Sequence, residues 1–146
     1  MATGPGFGTN VGWDFSYAVN SDLSADQFCF VQLASTGYLV LCATGQLALG
    51  VMQDNYHGTA TAVYYSQVRT GGVTKVACGG TFVPGDLLSA NSSGLAVKYT
   101  GATVFTGTPY LVSGTQVLGI ANEPGASGGG LSSMLFRPSG LVAAGD

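Results

Sequence analysis

Ser127 comes nearest to a catalytic group in this sequence. It stands in the run Gly125-Ala126-Ser127-Gly128-Gly129, and a G-x-S-x-G turn can expose a serine hydroxyl as a nucleophile. Such a hydroxyl needs a base to take its proton and a carboxylate to orient the base. His57, the one histidine, and Asp86 could supply them in the chain order His, Asp, Ser. The pattern fails in its surroundings. The hydrolase motif needs a strand before the serine and a helix after it, and Gly128, Gly129 and Gly130 would break a helix.

The serine-protease form fails as well. Ala126 occupies the position where trypsin-like enzymes carry Asp, and His57 lies in the unrelated context Asn55-Tyr56-His57-Gly58. A chain of 146 residues is also too short for the two barrels of that class. The run reads as a glycine-rich loop. Asp22 and Asp26, the one close carboxylate pair, sit among polar residues and read as a turn or cap, not as an acid–base pair. Cys29, Cys42 and Cys78 form no C-x-x-C pair, and with one histidine they cannot assemble a structural zinc site. Gly4-Pro5-Gly6-Phe7-Gly8 has no Lys-Ser/Thr after it and reads as a linker, not a phosphate loop. The chain is therefore expected to be no enzyme, with no catalytic residue, cofactor or metal.

Composition narrows the class further. Charged residues make up 8% of the chain, and 24 glycines accompany many Thr, Ser and Val residues. Gly and β-branched residues are poor helix formers, which leaves strands and tight turns. So few charges leave a surface that an isolated soluble protein would struggle to keep dispersed, so partners are expected to cover part of it. The net charge is −3, and the four cations Arg69, Lys75, Lys98 and Arg137 are scattered, so no nucleic-acid footprint is expected. The apolar runs are too short to span a membrane, and the start has no charged segment leading into an apolar one. The cysteines read as buried free thiols in a protein assembled in the cytoplasm, with a Cys29–Cys42 bridge as the alternative.

The elements follow from hydrophobic alternation and turn chemistry. Strands are expected at 27–33, 38–42, 47–52, 59–67, 73–77, 86–90, 95–99, 117–122 and 131–136. Turns at Ala34-Ser35-Thr36-Gly37 and Asn91-Ser92-Ser93-Gly94 separate them, as does Val83-Pro84-Gly85-Asp86, where proline and glycine suit the second and third positions of a type II turn. Residues 21–26 form a bend. Phe28, Phe30 and Gln32 are expected on one strand face, and of the adjacent Tyr64 and Tyr65 at least one ring in the core. Short strands at such spacing make the fold all-β, a small antiparallel barrel or sandwich.

Two units are read along the chain: an extended N-terminal arm over 1–20 and a single β domain over 21–146. Trp13, Phe15 and Tyr17 recur at period two behind a glycine-rich lead-in. Disordered tails are poor in aromatics, so these three are candidate contacts to a partner or to another copy of the chain.

One stretch carries a family likeness. Asp22-Leu23-Ser24-Ala25-Asp26-Gln27-Phe28-Cys29-Phe30-Val31-Gln32-Leu33 resembles the opening of the small capsid cement (decoration) proteins of tailed phages. The likeness continues through Leu49-Gly50-Val51-Met52-Gln53-Asp54-Asn55, Gly71-Gly72-Val73-Thr74-Lys75-Val76, Gly85-Asp86-Leu87-Leu88 and Val117-Leu118-Gly119-Ile120-Ala121. The longer aromatic arm and the segment from Thr100 to Thr115 depart from that pattern. The resemblance implies an all-β structural virion subunit, assembled in the host cytoplasm, that attaches to the outer surface of the major capsid protein shell. It further implies homotrimers at threefold or quasi-threefold positions. A host-surface or glycan-binding virion module is the alternative, and it would use exposed rings such as Tyr56, Tyr64 and Tyr65.

Overall fold

The computed structural model describes residues 13–55, 62–100 and 116–139. His57, Tyr56, the 1–12 lead-in, most of the 100–115 segment and the C-terminal 140–146 lie outside them. The described chain forms β1 (Asp14–Val19), β2 (Phe30–Leu33), β3 (Leu39–Leu41), β4 (Gly50–Met52), β5 (Tyr64–Arg69), β6 (Gly72–Ala77), β7 (Leu87–Ala90), β8 (Ala96–Lys98), β9 (Val117–Ala121) and β10 (Leu131–Ser139). These make two antiparallel five-stranded sheets, ordered β1-β5-β4-β2-β3 and β6-β10-β9-β7-β8. The all-β expectation holds in its sandwich form, and the barrel is ruled out because the two sheets do not close on each other.

The main core lies between the sheets. Phe30, Val51 and Cys42 from the first sheet's side meet Val76, Leu88, Leu118, Met134 and Phe136 from the second. The Phe30 and Phe136 rings tilt against each other at 6.2 Å. A second cluster occupies the opposite face of the first sheet: Val19, Leu23, Val31, Leu39, Met52 and Val68, with Tyr17, Leu41 and Leu49 packed against it. The consecutive pairs Phe30-Val31 and Val51-Met52 therefore bury one side chain on each face. Gln32 does not join them in the core, being half-buried. The second cluster is sheltered because the sheet curls, bringing its edge strands β1 and β3 within 8 Å at Cα without a ladder between them.

Turn chemistry fixes the register. Asp86 N–H donates to Val83 O at 3.1 Å across the expected Pro84-Gly85 turn, where Gly85 has φ +89°. Asn91 Oδ1 accepts from Ser93 N and Leu95 N, closing the β7–β8 hairpin with Gly94 at φ +69°. A Cβ at Gly119 in β9 would overlap the Leu135 carbonyl and the end of Met134, so close strand packing requires glycine there.

Phe28 alters the expected boundary of β2. It takes φ +66°, unusual for a bulky residue, and the strand begins at Phe30, not at residue 27. Its backbone is a cross-brace: Phe28 N–H donates to Met52 O in the first sheet at 2.8 Å, and Phe28 O accepts from Ala77 N in the second at 2.9 Å. A strand conformation could not serve both sheets from one residue. All three cysteines are buried and free, so the Cys29–Cys42 bridge is not formed. Burial pushes the Cys29 and Cys42 thiols up to about 11 and raises Cys78 as well, leaving all three protonated and unreactive near neutrality.

Candidate functional site

β1 pairs with β5 over its whole length, in a register that sets Phe15 opposite Val68, Tyr17 opposite Ser66 and Val19 opposite Tyr64. Directly opposed residues share a face, so Phe15, Tyr17 and Val19 lie in one row that continues the second apolar cluster, and period two extends the row to Trp13. Burial decays along it. Val19 is fully buried and Tyr17 half-buried against the cluster, whereas Phe15 is 53% and Trp13 66% exposed. The three candidates thus divide: Tyr17 belongs partly to the core, and Trp13 and Phe15 form an aromatic extension of that core into solvent.

The other face of β1 is polar and holds the row in place. Arg69 Nε and Nη2 each donate to Asp14 at 2.8 Å, a bidentate pair, and Arg69 Nη1 donates to Val73 O at 3.0 Å. Gln67 Nε2 donates to Ser16 Oγ at 2.6 Å. Trp13 is tied by its own carbonyl, which accepts from Thr70 N at 2.8 Å, while its ring lies over Gly71. Two exposed aromatics are therefore presented on a hydrogen-bonded strand. That limits the ordering entropy lost on docking.

The Asp14–Arg69 pair holds the Asp14 carboxyl below the usual carboxylate range, chiefly through the Arg69 hydrogen bond. Hydrogen bonds from Lys98 and the Val83 amide lower Asp86 likewise. Asp26 is shifted the other way, by burial and by the neighbouring Asp22. Carboxylates that ionise more readily in the fold stabilise it above their unfolded range, and that contribution is lost as pH falls through their depressed values. Asp26 works in the opposite sense and gains as pH falls. The Asp14 and Asp86 contributions to the urea midpoint therefore decline from about pH 5 towards pH 3, and Asp26 offsets part of that decline. Asp14→Asn should remove part of the decline and cost at most about 1 kcal/mol at pH 7, because the pair is partly exposed. A midpoint difference between the unsubstituted chain and Asp14→Asn that does not shrink as pH falls over that range would contradict this assignment.

The serine constellation is not assembled by what is described. Asp86 is engaged by Lys98 at 2.8 Å and by the Val83 amide, and Ser127 is exposed in the turn before β10. Asp22 accepts from Ser24 N at 3.0 Å, as a local turn would have it. Tyr64 and Tyr65 are both exposed, correcting the expectation that one would be core: Tyr65 lies opposite Ala18 on the polar face, and Tyr64 sits at the strand's end.

Two surface features had no signal in the sequence. The second sheet's outer face carries Val73, Leu135, Ile120 and Leu87 in cross-strand register over four strands, three of them exposed and Leu135 half-buried. A cleft of about 420 Å³ opens along the edge strand β6, between Phe28, Gln53, Arg69 and Lys75.

No protein-family model matches the chain, and a search of curated protein sequences finds no relative. Among solved structures, the chain is similar to the N base of the head fiber gp8.5 of bacteriophage phi29. The TM-score is 0.60 at 15% sequence identity, covering 86% of this chain and 95% of that one. At that identity the likeness is one of fold. The likeness extends over nearly the full length of that chain.

Proposed function

We propose that the chain is a structural, non-enzymatic subunit of a phage head, a decoration protein that docks on the outer surface of the major capsid protein shell and stabilises it. The observation that carries the reading is the aromatic row of β1, in which Trp13 and Phe15 extend a buried cluster into solvent on a braced strand. Aromatics so presented are the usual anchors of interfaces. The fold of the phi29 head fiber base supports a place on a phage head, and the cement-like order of sequence blocks supports the decoration role.

The apolar stripe of Val73, Leu135, Ile120 and Leu87 offers a second face, suited to contact between copies, and the proposed assembly is a homotrimer at threefold or quasi-threefold positions. A subunit that bridges neighbouring capsomers raises the cost of separating them by the interface it buries. A standard patch of roughly 1,600 Å² is sufficient for specific attachment. The reaction-free mechanism is surface burial against the outward strain of packaged DNA.

A second reading, a glycan- or host-binding virion module, is favoured by the exposure of both Tyr64 and Tyr65. Sedimentation with undecorated, expanded capsids separates the two. Co-sedimentation supports decoration; a protein that stays in the supernatant but binds a glycan array supports the second reading.

A further inference from the structure

The cleft along the open edge of β6 is chemically distinct from the rest of this acidic protein. It gathers Arg69 and Lys75, two of the chain's four Lys and Arg residues, and among the described residues no carboxylate lines it. Arg69 is largely spent on Asp14 and on Val73 O. Lys75 has no carboxylate within 4.0 Å among the described residues, and its Nζ stands 6.0 Å from the centroid of the Phe28 ring. Gln53 Nε2 is fully committed to Val51 O and Thr74 Oγ1, so it closes the floor and is not free to donate to a ligand.

The backbone adds a donor. Among the described residues β6 is the edge strand of its sheet and pairs only with β10. Ala77 N donates away from β10 to Phe28 O, and Val73 O accepts from Arg69 on that same side. Strand alternation therefore turns Lys75 N–H, which lies between them, to the same open edge. Ser133 stands directly opposite Lys75 in the ladder, so its side chain leaves the same face of the sheet. The walls are apolar, formed by the Phe28 ring and Val73.

We infer that this cleft takes a carboxylate on a short aliphatic stem, the side chain of an acidic residue presented by the surface on which the protein docks. Lys75 Nζ neutralises the carboxylate, Lys75 N–H donates to it at the open edge of β6, and the stem lies along the Phe28 ring. A bare inorganic anion would forfeit the apolar contacts. A neutral amide would forfeit the charge. Only the source of the carboxylate rests on the decoration reading; the chemistry of the cleft stands on its own residues.

The test is a titration of the isotope-labelled full chain followed by amide chemical shifts. The probes are N-acetyl-glutamate amide, its glutamine counterpart and inorganic phosphate. Glutamate is expected to give saturable shifts at Gln53, Thr74, Lys75 and Ser133, with a dissociation constant on the order of 10 mM or tighter. Glutamine and phosphate should bind at least about tenfold more weakly, and Lys75→Gln should weaken glutamate by a similar factor. Lys75 is exposed, and unchanged shifts elsewhere will report that the variant is folded. No localised shifts, equal binding of phosphate, or an unaffected Lys75→Gln variant would each overturn the inference. Because no capsid is present, its failure is distinguishable from failure of the decoration reading.

Discussion

Replacing Trp13 and Phe15 together by alanine should weaken capsid binding at least about tenfold and leave the urea midpoint of the free protein nearly unchanged. Anchors of this kind contribute about 2 kcal/mol or more each when truncated at a docked interface. Neither ring is buried in the free chain, so little packing is lost before docking. The strand that carries them is retained, because the bond from Thr70 N goes to the Trp13 carbonyl and the Asp14–Arg69 pair is untouched. Val19→Ala is the contrasting control: its side chain is fully buried in the second cluster, and it should lower stability first. For the same reason point substitutions are a cleaner test than removal of residues 1–20, which would take Val19, Tyr17 and the whole of β1 with them. Undiminished binding by the double variant, measured by co-sedimentation, would remove the aromatic row from the interface.

The largest expected loss of stability comes from Phe30→Ala, at about 3–5 kcal/mol. Phe30 is fully buried in the inter-sheet core, tilted against Phe136, so truncation leaves a cavity between the two sheets, whose spacing the remaining side chains hold. Its backbone is committed on both sides, donating to Gly94 O at 2.7 Å and accepting from Cys42 N at 2.9 Å, and so cannot move far to fill the space. At a few degrees per kcal/mol for a chain of this size, the thermal midpoint should fall by roughly 10 °C. A fall of one or two degrees would mean that the core repacks and that the sheets are less rigidly spaced than their packing implies.

Much of this architecture was legible from the sequence, and the misses have physical causes. Nine of the ten strands coincide with stretches read from alternation and turn residues, because Pro84-Gly85 and Asn91-Gly94 punctuate the chain by local chemistry alone. The tenth, β1, was read as an extended arm, since its glycine-rich lead-in carries no turn signal and its partner β5 lies some fifty residues away. The double-faced burial of the first sheet was written in the unbroken apolar runs at 28–31 and 49–52, which alternation rules treat as one-sided. Phe28 could not be foreseen, because its positive φ is imposed by hydrogen bonds to two different sheets. Trp13 and Phe15 were found by type and spacing. The cleft was not, because Phe28, Gln53, Lys75 and Ser133 meet only through the crossing from β5 to β6 and the pairing of β6 with β10.

The central claim is that this β sandwich decorates a phage head, and counting copies bound to purified, undecorated capsids tests it most directly. The account predicts saturable binding at a whole number of copies per icosahedral asymmetric unit, lost with Trp13→Ala/Phe15→Ala. Binding that never saturates, or no binding to expanded shells, would contradict it.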